Sequence, residues 1–120
     1  MSHPLSHDLS ELTQELLADA RAAGSGRASR ALLGDHGQTL HQVLIALVGG
    51  RGLAEHANPG QATVQVLLGA VTIHGGPEPL HGGAGSLLAV PANEHSVTTE
   101  EDTVLLLTVA HESRSASDAG

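Results

Sequence analysis

From Gly26 to Ala110 the chain is a succession of short apolar runs cut by Gly, Pro, Asn and Asp. That punctuation is the pattern of an all-β domain. The runs predict strands over 27–33, 39–48, 52–56, 63–68, 70–74, 87–90, 95–98 and 103–110. Breaks fall at Gly34-Asp35-His36-Gly37, Gly49-Gly50, Asn58-Pro59-Gly60, Gly75-Gly76-Pro77, Gly82-Gly83-Ala84-Gly85 and Glu100-Glu101-Asp102. Pro59-Gly60 suits the centre of a type II turn. Short strands at this spacing predict a jelly roll or barrel rather than alternating α and β units.

The segment before Gly26 differs. Asp8-Leu9-Ser10-Glu11 has the form of a capping box. Leu9, Leu12, Leu16, Leu17 and Ala20 then recur at helical spacing, with Glu11, Glu15, Asp19 and Arg21 on the other side. An amphipathic helix is predicted over 9–23, stopped by Gly24-Ser25-Gly26. The expected organisation is a tail and helix over 1–26, one β-barrel over 27–112 and a flexible tail over 113–120. Strands such as HQVLIALV and TVLLLTVA are apolar on both faces and need a second buried surface, either the helix or another subunit.

Composition narrows the function. There is no Phe, Tyr or Trp, so the core must be aliphatic. No ring is available to stack on a base or sugar or to cage a cation. The formal charge is −8, with five Arg and no Lys, and the Arg residues form no basic run. Nucleic acid and anionic membranes are poor partners for such a chain. Absence of Lys and Cys removes Schiff-base chemistry, thiol nucleophiles, thiolate metal sites and disulfides. No signal peptide is recognised at the N-terminus, and a cytoplasmic location is expected. Gly82-Gly83-Ala84-Gly85 precedes a strand and no Lys follows, so it reads as a turn rather than a phosphate loop. No Ser stands in a nucleophile elbow.

Two segments resemble the paired motifs of the cupins. The first is Gly50-Arg51-Gly52-Leu53-Ala54-Glu55-His56-Ala57-Asn58-Pro59-Gly60, running on to Gly69. The second is Gly85-Ser86-Leu87-Leu88-Ala89-Val90-Pro91-Ala92-Asn93-Glu94-His95. With the leading helix, residues 9–110 resemble small single-domain, actinobacterial-type cupins of undefined function. The resemblance implies an all-β, cupin-type jelly-roll barrel with an N-terminal amphipathic helix, and it supports a homodimer.

A metal-binding cupin would use His-x-His, a Glu and a later His. His56 and His95 match two of those places. Asn58 replaces the second His, and the Glu falls on Ala62 or Thr63. Two His are too few for a tight site. His41, on a neighbouring strand, or Gln61, in the turn, is the candidate third metal ligand, for a divalent ion such as Zn, Fe, Mn or Ni. His56, Asn58, Gln61 and His95 are the candidate ligand-binding residues at the barrel mouth, with Gln61 placed in the turn. His74, His81 and His111 read as solvated. Three functions follow: a non-catalytic small-molecule-binding barrel, a metal-dependent dioxygenase or isomerase, and a structural or regulatory homodimer.

Overall fold

Asp8 opens the chain's helix, its Oδ1 accepting the Glu11 N–H at 3.1 Å. Asp8 caps the N-terminus of α1 (Leu9–Ala22), and Ala23 turns extended to end it. The computed structural model describes residues 6–56, 60–91 and 94–111. Among the described residues nine strands follow the helix: β1 (Arg27–Leu33), β2 (Leu40–Leu47), β3 (Gly52–His56), β4 (Gly60–Leu68), β5 (Ala70–His74), β6 (Leu80–Gly83), β7 (Leu87–Ala89), β8 (His95–Thr98) and β9 (Thr103–His111). They form two antiparallel sheets, a five-stranded one in the order β1-β2-β9-β4-β7 and a four-stranded one in the order β3-β8-β5-β6. The expected jelly roll is thus two facing sheets. Among the described residues no ladder joins them into a closed barrel.

Side chains alternate across a pleated strand, so each strand divides its residues between two faces. Ile45 and Leu47 of β2, Val64 and Val66 of β4, Val71 and Ile73 of β5, Val97 of β8 and Leu105 of β9 fill the space between the sheets. The opposite face of the five-stranded sheet is covered by the helix. There Leu44 and Ala46 of β2 and Val104 and Leu106 of β9 pack against Leu16, Leu17 and Ala20. The helix therefore supplies the second buried surface that doubly apolar β2 and β9 require. A register shift between Val66 and Leu68 on β4 lets both Leu67 and Leu68 join this outer cluster.

A polar clamp closes one end of the sandwich. Asp102 accepts from the Gly49 N–H at 2.9 Å and from Arg21 of the helix at 2.8 Å. Next to it Thr103, fully buried, accepts the Ala70 N–H at 3.2 Å. Its own hydrogen has the Glu101 and Ala70 carbonyls within reach, at 2.8 and 3.1 Å. Gly49 must lack a side chain, since a Cβ there would meet the Glu100 carbonyl at 2.9 Å.

Two strand expectations needed correction. No strand is expected over 80–83, where Gly82-Gly83 read as part of a turn, yet β6 pairs with β5 from Ala70↔Gly83 to Ile73↔Leu80. Gly60 is not confined to a turn: it opens β4 and pairs with His111. Pro59 and the tail over 113–120 lie outside the described residues.

Candidate functional site

At the end away from the clamp, β2 and β8 begin while β3 and β9 finish. Leu40 pairs with Ala110, Gly60 with His111, and His56 with His95. Parity then decides which side chains face inward. His41 shares its face of β2 with Val43, Ile45 and Leu47, which belong to the inner core. His111 shares its face of β9 with Leu105 and Leu107. His95 shares its face of β8 with Val97 and is buried to 3% exposure. Three imidazoles, from both sheets, therefore line the inner face at one rim.

Local backbone sets their positions. The Gly75 turn lies directly against His95: a Cβ at Gly75 would meet the His95 Cα at 2.9 Å. Gly75 also has φ +135°, a conformation that favours glycine. The loop from β1 to β2 lies against the His41 ring, and a Cβ at Gly34 would stand 2.6 Å from its Cγ. Nε2 of His41 is 2.8 Å from the Gln38 carbonyl. A carbonyl only accepts, so Nε2 is the donor and, in the neutral ring, Nδ1 is left as an acceptor. The His41 and His111 rings meet edge to face, with centroids 4.4 Å apart. On the four-stranded sheet, β3 advances three residues from Leu53 to His56 while β8 spans two, from Val97 to His95. This bulge brings His56 into cross-strand register with His95.

The structure separates the candidate residues. His95 and the backbone of His56 are brought together. His41, expected as a third metal ligand with them, belongs to the facing sheet and lies against His111. Gln61 was placed in the turn. It is exposed on the outer face of β4, opposite in parity to buried Ala62, Val64 and Val66. Asn58 lies outside the described residues. His111, read as solvated, is half-buried at the rim. Its inward parity was legible only once β9 was known to extend to residue 111. His74 and His81 lie instead on the outer face of the four-stranded sheet. There His74 pairs with the Thr98 hydroxyl at 3.0 Å and His81 with the Thr72 hydroxyl at 2.9 Å.

The residues fit a metal poorly. Of the two positions that could supply the cupin carboxylate, Ala62 faces inward and Thr63 outward, so the inner place holds a methyl group. Among the described residues no group of three or more His, Asp or Glu side chains is disposed to share an ion. What the rim offers is hydrogen-bonding imidazole beside apolar Val109, Ala62, Leu107 and Val90.

The sequence matches no family model and no curated protein. Solved structures resemble it clearly. A conserved protein of unknown function from Streptococcus pyogenes is 26% identical with a TM-score of 0.73, covering 93% of this chain and 91% of that one. A cupin superfamily protein from Desulfitobacterium hafniense is 18% identical with a TM-score of 0.65, over 72% of this chain and 78% of that one. A salicylate 1,2-dioxygenase from Pseudoaminobacter salicylatoxidans, solved with gentisate, is 21% identical with a TM-score of 0.70. It covers 83% of this chain, but only 32% of the dioxygenase is matched. The fold is the one these cupin and RmlC-like cupin structures share. Among the described residues no helix is long and apolar enough to cross a membrane.

Proposed function

We propose that this chain is a non-catalytic binding protein whose histidine rim takes one small ligand with an apolar body and a hydrogen-bonding head. The observation that carries this reading is that His41, His95 and His111 each take the inward parity of their strands at one end of the sandwich, on the same face as buried Ala62. Imidazoles offer both a donor and an acceptor without requiring a fixed charge. The aliphatic wall suits the apolar part, and a pocket of mixed apolar and convergent polar groups is the usual form of a small-molecule site. A ligand whose head donates a hydrogen bond, such as a hydroxyl or an amide, would match the Nδ1 acceptor of His41 best.

A divalent metal at His56 and His95, as in a dioxygenase or isomerase, is the second reading. The cross-strand register of those two residues favours it. Elemental analysis of protein carrying no His tag separates the two, because near-stoichiometric metal that is lost in His95→Ala would overturn the binding-protein reading. The expected result is metal far below one per chain. Short aliphatic alcohols and amides should then raise the melting midpoint of the wild type but not of His41→Ala or His111→Ala.

A further inference from the structure

We propose that the open side of the sandwich, between the edges of β1 and β3, binds a medium-chain aliphatic acid, its carboxylate on Arg27 and its chain on the inner core. β1 ends the five-stranded sheet and β3 ends the four-stranded one, and among the described residues no ladder joins these two edges. The core is therefore left uncovered along this side. Val43 and Ile45 of β2 and Leu53 of β3 line a cavity of about 440 Å³ there. Val43 and Leu53 pack on the inner cluster yet stay half-buried. Ladder register brings polar groups to the same cavity. Arg27 stands opposite Leu47 and Ser29 opposite Ile45, so both take the inward parity of β1. Both line the cavity and both are exposed, since β1 has no neighbour beyond it.

The charge distribution selects the occupant. Arg21 pairs with Asp102, and Arg30 with Glu15 and Asp19. Neither Arg27 nor Arg51 has a carboxylate partner among the described residues, although the chain is formally −8. The fold brings these two to one corner by a reciprocal contact. Nη1 of Arg27 donates to the carbonyl of Gly52, the residue after Arg51, at 3.2 Å. The Arg51 side chain lies against Gly26, the residue before Arg27, where a Cβ would stand 2.7 Å from its Nε. Two cations gathered at one corner without a carboxylate favour an anion there. A guanidinium carries five donors, and Arg27 uses one on a neutral carbonyl. The rest of its fork matches a carboxylate. The aliphatic lining then favours an acid with an apolar chain over an inorganic anion, and the cavity is of the size small-molecule sites take. This site is distinct from the histidine rim, because Arg27, Leu47 and Thr103 share a row at the opposite end of the ladder.

Isothermal titration calorimetry of the full chain with octanoate tests the proposal. Octanoate should bind once per chain. Propionate, which has too short a chain, and inorganic phosphate, which has none, should bind at least roughly tenfold more weakly. Arg27→Gln should weaken octanoate binding by at least roughly tenfold. Ser29→Trp, which fills the cavity from the edge strand and leaves the guanidinium in place, should do the same. Both positions are exposed, and cooperative thermal unfolding near the wild-type midpoint will show that the variants fold. His41→Ala should bind octanoate as the wild type does. A loss of binding in that variant would move the acid to the histidine rim and overturn the proposal. A wild type that ignores octanoate, propionate or phosphate binding as tightly as octanoate, or binding indifferent to Arg27→Gln or to Ser29→Trp would overturn it too. The outcome is independent of the rim reading, which alcohols and amides test through His41 and His111.

Discussion

At the scale of single residues, Thr103 and Asp102 do more than their position in an acidic turn suggests. Thr103→Val keeps the shape but removes the acceptor for the half-buried Ala70 N–H. Leaving such a group unsatisfied costs about 1–3 kcal/mol, and chemical denaturation should show a loss of that size. The Asp102 carboxyl is held below the ordinary carboxylate range, first by the Gly49 N–H and then by Arg21, against a smaller opposing effect of burial. A depressed folded value means the folded state favours the ionised form. Its contribution is therefore complete above the ordinary pKa of about 3.9 and fades as pH falls through the lower folded value. Asp102→Asn should melt below the wild type at neutral pH, and the gap should narrow under acid. A gap that widens on acidification would contradict this. Neither role was legible in Glu100-Glu101-Asp102, because the partners Gly49 and Arg21 are brought there by folding.

At the scale of elements, the helix was the clearest reading. Its capping Asp8 and its apolar spacing are local features, and the structure places Asp8 and Leu9–Ala22 accordingly. The demand for a second buried surface on β2 and β9 was also visible in sequence, and α1 meets it. Leu17, 4% exposed, is packed in that outer cluster. Leu17→Ala should cost about 2–5 kcal/mol by transfer and cavity terms. A loss under about 1 kcal/mol, nearer that of a surface site, would show that the helix is only loosely docked. The strand β6 escaped notice because two of its four residues are glycine, and pairing with β5 rather than propensity makes it a strand.

At the scale of the whole molecule, the two ends of the sandwich differ in kind. One is tied by Asp102 and Thr103 to backbone and helix. The other gathers histidines from β2, β8 and β9 beside the end of β3. The faces of the five-stranded sheet differ as well: one is aliphatic core ending in His41 and His111, the other part helix-covered and part uncharged and open.

The sequence by itself determined the class of fold, the helix and its cap, and an aliphatic interior, because periodicity, turn residues and composition act locally. The cupin resemblance singled out His56 and His95, and the β3–β8 ladder sets their backbones in register. Only the tertiary structure decided that Gln61 and Thr63 face outward while Ala62 faces inward, since one residue of register moves a side chain to the other face. It alone set His41 against His111, residues 70 positions apart, because cross-strand register rather than spacing made them neighbours.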